Sequence, residues 1–199
     1  MTRLVLPVAL VALALSACTS TPAQAVATST TAVTSTPAVS ASTPAATAMG
    51  ASATPAPGAT PKDATFLIGS RLFTLKDGTS EVEAAPGSAS KIVTKYFGNE
   101  ATGDLNGDGQ PDVAFLLTQS PGGSGTFYFV VAALKTPAGY IGTPAVPLGD
   151  RIAPQSTSYK DGTLTVSYAD RKAGEPMTAQ PTVGVSKTFK VVDGKLVAQ

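Results

Sequence analysis

Side chains that could bind a metal ion are concentrated in one short loop, residues 104–112, which reads Asp-Leu-Asn-Gly-Asp-Gly-Gln-Pro-Asp. Oxygen-bearing side chains stand at its first, third, fifth and ninth positions: Asp104, Asn106, Asp108 and Asp112. Gly109 permits a sharp reversal of the chain, and the main-chain carbonyl of Gln110 can add a further oxygen. Calcium takes about six to eight hard oxygen ligands in a loose geometry. The spacing therefore predicts a calcium site with a structural role.

An alternative interpretation of the same loop is a polar turn, in which Asn, Asp and Gly simply suit the backbone. Three carboxylates within nine residues repel one another unless a cation is present, and this favours the metal site. The loop also departs from an EF-hand. Phe115 stands where an EF-hand has a bidentate Glu, and the sequence after the loop is typical of a strand.

Residues 104–117 resemble the calcium loops of FG-GAP and VCBS repeats, in which such a loop lies between two strands. The resemblance implies side-chain ligation by Asp104, Asn106, Asp108 and Asp112, with Gln110 binding through its main chain. Only one copy of the loop is present, so the resemblance does not imply a propeller.

A second group of candidate residues contains two Asp-Arg pairs and a tyrosine: Asp150, Arg151, Tyr168, Asp170 and Arg171. They could line a polar cleft in which an arginine grips a carboxylate or phosphate. They could instead form ion pairs that tie down the long segment 169–185, and we favour this structural interpretation.

Composition excludes several classes of chemistry. The chain has no histidine, which removes Ser-His-Asp catalysis and nearly all tight zinc sites. It has one cysteine, so no disulfide can form within it. Fourteen basic residues balance thirteen acidic ones, and no basic block indicates a nucleic-acid partner.

The single cysteine, Cys18, closes the sequence Leu15-Ser16-Ala17-Cys18 after an apolar run that follows Arg3. This arrangement is typical of a secretory signal, and residues 15–18 resemble the lipobox of bacterial lipoproteins. The sequence predicts that residues 1–17 are a signal peptide and that the acylated Cys18 anchors the protein to a membrane. The apolar run is too short for a transmembrane helix.

Composition changes abruptly near residue 62. Residues 19–61 carry no charge and no aromatic side chain, whereas Lys62 begins a segment that contains every Phe and Tyr. A proline-rich chain of small side chains buries too little surface to fold. We therefore expect a lipidated, disordered tether at residues 18–61 and a folded domain at 62–199.

The domain has the sequence pattern of β-structure. Asp-Gly pairs at 77–78, 161–162 and 193–194 lie between apolar alternations, as in tight hairpins. Residues 113–118 and 126–132 are apolar at nearly every position, which indicates central strands buried on both faces. The sequence predicts an all-β, mainly antiparallel domain of seven to nine strands.

Residues 96–182 also resemble a group of uncharacterised bacterial secreted proteins and lipoproteins, through the stretches 103–109, 122–128, 148–152 and 168–171. We expect a cell-envelope lipoprotein with a calcium-supported domain, on the outer membrane where one exists, and with a protein or cell-wall partner. The alternative is an envelope hydrolase that uses carboxylates or the Asp/Arg pairs. The missing histidine favours a non-enzymatic role.

Overall fold

Strands dominate the domain. The computed structural model describes residues 55–199, which form twelve strands and one short 3-10 turn at Pro61–Asp63. The strands are β1 (Thr65–Ile68), β2 (Arg71–Thr74), β3 (Thr79–Glu83), β4 (Lys91–Gly103), β5 (Asp112–Ser120), β6 (Phe127–Thr136), β7 (Gly139–Gly142), β8 (Val146–Asp150), β9 (Ala153–Lys160), β10 (Thr163–Asp170), β11 (Val183–Val192) and β12 (Lys195–Ala198). The predicted all-β class is confirmed.

The strands form two sheets and a separate hairpin, and every strand pair is antiparallel. The first sheet has the order β3-β4-β5-β6-β7, and β8 also pairs with β6. The second sheet has the order β12-β11-β10-β9. Strands β1 and β2 form the N-terminal hairpin.

The central strands β5 and β6 are buried on both faces, as their apolar sequences predict. Alternate residues of β5 enter different cores, because successive side chains on a strand point in opposite directions. Ala114 and Leu116 pack with residues of the second sheet, including Val166 and Phe189. Phe115 and Leu117 pack on the other face with residues of the N-terminal hairpin. The first sheet is therefore the middle layer of the domain.

Tight Asp-Gly turns are present at all three predicted positions. Those at 161–162 and 193–194 join paired strands, β9 with β10 and β11 with β12, whereas Asp77-Gly78 closes on the single bridge between Lys76 and Thr79 and joins β2 to β3, which lie in different sheets. Asp77, Asp161 and Asp193 have φ near 50°, and the glycine after each also has positive φ. Two successive residues with positive φ form the turn whose twist matches that of the flanking strands. Asp and Gly tolerate this conformation better than other residues do, so the local sequence determines these three turns.

The number of strands exceeds the predicted seven to nine, because β3, β4, β7, β8 and β9 lack a strong apolar pattern. Strand β4 is the longest, with 13 residues, yet it is interrupted at Gly98 and Asn99, both of which have positive φ. Its register with β5 shifts on either side of Gly98. Such a bulge disturbs the strict alternation that identifies a strand from sequence.

Contacts with the domain begin before Lys62, the predicted start of the folded part. The main chain of Gly58 exchanges two hydrogen bonds with that of Tyr140, at 2.7 and 2.8 Å. The predicted signal peptide, Cys18 and the tether up to residue 54 lie outside the described residues.

Among residues 55–199, no helix has the length and apolar character that crossing a membrane requires.

Candidate metal centre

The predicted calcium loop connects β4 to β5, directly after the last residue pair of these strands, Gly103 and Asp112. Leu105 is buried in the core between the two sheets and anchors the loop. Gly107 and Gly109 have φ of 82° and 83°, a left-handed conformation that glycine adopts without steric cost. Asn106 and Asp108 are exposed to solvent.

Asp104 organises the loop by accepting hydrogen bonds from its main chain. Its Oδ1 accepts from the N–H groups of Gly107 at 2.7 Å and Asp108 at 3.0 Å. Its Oδ2 accepts from the N–H of Gly109 at 2.9 Å. Bonds from N–H groups to an ionised carboxylate are stronger than those between neutral groups. One charged side chain thus holds the reversal at the glycines in place.

Asp112 connects the loop to the sheet. Its side chain is fully buried, at 0% exposure. Oδ2 accepts from the N–H of Leu105 at 2.9 Å, and Oδ1 accepts from the N–H of Lys135 on β6 at 2.7 Å. Burial raises the pKa of Asp112, and the charge of Asp108 adds to this, whereas the main-chain hydrogen bonds oppose it.

The remaining predicted ligands bond to one another. Asn106 Nδ2 donates to Asp108 Oδ2 at 2.9 Å, and Asn106 Oδ1 accepts from the N–H of Asp108 at 3.1 Å. Asp108 Oδ1 accepts from the N–H of Gln110 at 2.8 Å. The structure therefore places all five predicted residues in one hydrogen-bonded loop.

The oxygens of the loop retain capacity for a cation. A carboxylate oxygen has two lone pairs, and each oxygen of Asp108 and Asp112 accepts one of the hydrogen bonds described above. Neither salt bridge of the described residues includes a loop carboxylate. In this part of the chain, however, no three side chains of His, Cys, Asp or Glu converge to hold a metal. A calcium ion would therefore need the amide oxygen of Asn106 and the carbonyl of Gln110 as well as carboxylates. The donor set is oxygen only, and it fits calcium on these terms.

Tyr159 supports the loop from the second sheet, a contact that the sequence did not predict. Its hydroxyl donates to the carbonyl of Asp104. Its ring covers Gly103 so closely that a Cβ on this glycine would lie 2.2 Å from Cδ1 of the ring. Fifty-five residues separate Tyr159 from Asp104, and no local pattern marks the pair. The glycine before the loop is the one signal that a close approach occurs there.

The second candidate group is also brought together, around Arg171. Arg171 Nε donates to the carbonyl of Ala179 at 2.7 Å. Its Nη1 donates to the carbonyls of Asp150 at 3.2 Å and Arg151 at 3.0 Å. The guanidinium thus joins the segment 171–182, which follows β10, to the chain at the end of β8.

Three other members of this group also bond to the main chain. Asp150 Oδ1 accepts from the N–H of Thr126 at 2.8 Å, and Tyr168 is buried and donates to the carbonyl of Leu148 at 3.2 Å. Asp170 Oδ1 accepts from the N–H of Arg171. Arg151 Nε lies 3.4 Å from Asp150 Oδ1 but is not aligned for a hydrogen bond. Apart from this one ion pair, the group is held by hydrogen bonds to the main chain and not by the predicted ion pairs. A structural role for the group remains the favoured interpretation.

No protein-family model matches this chain, and neither a curated protein nor a solved structure does so.

Proposed function

We propose that the protein is a bacterial cell-envelope lipoprotein whose β domain is supported by calcium and has a binding or structural role. The observation that carries this proposal is the loop 104–112. It holds three carboxylates and no basic residue, and its main chain is already folded around Asp104. A cation there would offset the repulsion between the carboxylates, which otherwise opposes the loop conformation.

Asp104, Asn106, Asp108, Asp112 and the carbonyl of Gln110 would hold the ion. Bound calcium supplies positive charge and fixes the relative positions of several oxygens. Because Asp112 is bonded to the main chain of β6, order in the loop would be transmitted to the middle sheet. Tyr159 extends the same connection to the second sheet. The ion would in this way stabilise the junction of the two sheets.

The membrane anchor is supported by the sequence of residues 1–18, which lies outside the described residues. The charge-free stretch up to residue 54 would place the domain at a distance from the membrane. Acyl chains contribute about 0.8 kcal/mol per buried methylene, so several chains hold a protein stably to a bilayer. The variant Cys18→Ala should therefore lose membrane sedimentation or remain unprocessed. A variant that sediments with membranes and has the mature wild-type mass would refute the anchor.

The hydrolase alternative receives less support. Three donor contacts of Arg171 are directed at main-chain carbonyls, and the hydroxyl of Tyr168 is buried against another. A catalytic arginine instead directs its donors towards a substrate. The arrangement therefore favours a role for this group in holding the chain.

Thermal unfolding with and without calcium tests the metal site. Calcium at about 100 times its Kd should stabilise the folded state by roughly 2.7 kcal/mol. For a domain of this size the melting temperature should rise by about 5–15 °C. The double variant Asp104→Asn/Asp108→Asn should lose most of this rise, because it removes two charged ligands and keeps the side-chain shapes.

The matched control is Asp161→Asn/Asp193→Asn, which removes two exposed carboxylates from hairpin turns. Asparagine tolerates the positive φ of both positions, so the control should respond to calcium like the wild type. Equal melting temperatures of the wild type in calcium and in chelator would refute the site. The test of Cys18 would be unaffected by that result.

A further inference from the structure

The second sheet has one face without a partner among the described residues. On β10, Leu164, Val166 and Tyr168 point into the core, so Thr163, Thr165 and Ser167 point outwards. We call the outward positions of strands β9–β12 the outer face. It is the broad sheet surface that the three-layer arrangement of the domain leaves open to solvent.

Short hydroxyl side chains form two rows across the outer face. Residues directly opposite on antiparallel strands have side chains on the same face. The rows are Ser156, Ser167 and Ser186, and Ser158, Thr165 and Thr188. Adjacent members lie close, since the hydroxyls of Ser167 and Ser186 are 2.9 Å apart. Neighbouring strands are about 4.8 Å apart and alternate residues about 7 Å apart, so the six hydroxyls form a compact array of two rows.

Positive charge borders this array at one end. Lys160, Lys190 and Lys195 are exposed, and each adjoins a core residue in sequence, which places its own side chain on the outer face. The outward positions of the described strands β9–β12 carry no carboxylate. Asp161 and Asp193 lie nearby, in the turns at this end of the sheet. Neither salt bridge of residues 55–199 includes one of the three lysines.

A surface that serves only for solubility commonly mixes both signs of charge, and the first sheet shows this arrangement. There Lys91 on β4 forms a salt bridge with Glu81 on β3 at 3.4 Å. The outer face instead combines hydroxyl side chains, the three lysines and the exposed Val192 and Val197, and its outward positions carry no carboxylate. Hydroxyl groups donate and accept hydrogen bonds, and short side chains lose little conformational entropy when a ligand orders them. The complement of such a face is an extended ligand that carries both hydroxyls and negative charge.

We propose that the outer face of the second sheet binds an anionic polysaccharide, with the hydroxyl rows contacting sugar hydroxyls and the three lysines contacting acidic groups. This role goes beyond calcium support and membrane anchoring, and it requires neither. Lysine acts as a point charge that suits carboxylate and phosphate alike, so the acidic group of the polymer can be of either kind. Binding should weaken as salt is added, because exposed charges are screened.

Binding of the full-length protein to three immobilised polymers tests the proposal. Polygalacturonate carries hydroxyls and charge, dextran carries hydroxyls alone, and polyglutamate carries charge alone. Measurements in neutral detergent and chelator, well below the melting temperature found in that buffer, exclude calcium bridges to the loop 104–112. The protein should bind polygalacturonate at least about tenfold more tightly than either of the other polymers.

Lysine variants localise the binding. Lys160→Gln/Lys190→Gln/Lys195→Gln should weaken binding to polygalacturonate about tenfold, since each exposed charge contact contributes modestly. The matched control Lys76→Gln/Lys95→Gln/Lys172→Gln removes the same charge from exposed positions elsewhere and should change binding less than about twofold.

A variant of the hydroxyl rows tests the uncharged part of the face. Ser167→Ala/Ser186→Ala should also weaken binding to polygalacturonate, without changing the dependence of binding on salt. Equal losses in the two lysine variants, equal binding to polyglutamate, or no binding to polygalacturonate would each overturn the proposal.

Discussion

The loop 104–112 and the segment 171–182 use charged side chains in opposite ways. In the loop, the carboxylates of Asp104 and Asp112 accept hydrogen bonds from main-chain N–H groups. In the segment, the guanidinium of Arg171 donates to main-chain carbonyls. Both regions are long connections between neighbouring strands. In both, a charged side chain satisfies main-chain groups that the strands leave unpaired.

The two regions differ in their charge balance. The loop has three carboxylates and no basic residue, whereas the second group has two aspartates and two arginines. Each oxygen of Asp108 and Asp112 accepts one hydrogen bond and keeps a free lone pair, whereas Oδ1 of Asp104 accepts two. Nε and Nη1 of Arg171 are directed at carbonyls within the protein. The first region therefore has an excess of negative charge and acceptor capacity left, as the proposed calcium site requires, whereas in the second region Arg171 is held by main-chain carbonyls. Substitutions of Asp112 in the loop and of Arg171 in the segment test this difference.

The largest effect is expected at Asp112. Asp112→Ala should lower the free energy of unfolding by about 3 kcal/mol, measured by denaturation in chelator. The variant leaves the buried N–H of Leu105 and the partly buried N–H of Lys135 without acceptors, and an unsatisfied buried group costs roughly 1–3 kcal/mol. Removal of a buried charge offsets part of this loss.

Asp108→Ala is the matched control for Asp112→Ala, because Asp108 lies in the same loop but is exposed. It should cost about 1 kcal/mol or less, since water replaces its hydrogen bonds. Equal costs for the two variants would mean that Asp112 does not join the loop to β6 in the way its contacts indicate.

A smaller effect is expected at Arg171. Arg171→Met retains much of the apolar volume and removes the three hydrogen bonds to carbonyls, so it should cost about 2 kcal/mol. The segment 171–182 should then open locally, and trypsin should cleave after the exposed Lys172 faster than in the wild type. Calcium should raise the melting temperature of this variant as much as that of the wild type.

Arg71→Met serves as the control for Arg171→Met. Arg71 is exposed and donates to the carbonyl of Glu83 at 2.8 Å, and its loss should cost about 0.5 kcal/mol. Unchanged cleavage after Lys172 in Arg171→Met would contradict the role of the guanidinium in holding the segment. A lost calcium response in that variant would contradict the independence of the two regions.

Local sequence was sufficient for much of the fold. The Asp-Gly pairs identified three tight turns because positive φ at two successive residues is a local requirement. The apolar runs in β5 and β6 identified the middle layer because strands buried on both faces need apolar residues at every position. Strand β4 could not be recognised in this way, since the bulge at Gly98 and Asn99 breaks the alternation and its partner strands hold it in place.

The sequence by itself determined the β class, the tight Asp-Gly turns and the cluster of oxygen-bearing side chains at residues 104–112, because each depends on residues that are close in the chain. Only the tertiary structure decided what these residues contact. Asp112 meets the main chain of Lys135, 23 residues away, Arg171 meets that of Asp150, 21 residues away, and Tyr159 meets that of Asp104, 55 residues away. The acceptors and donors in these contacts are main-chain groups, which every residue type carries. The sequence therefore does not show which main-chain group each side chain contacts. The packing of the sheets determines that partner.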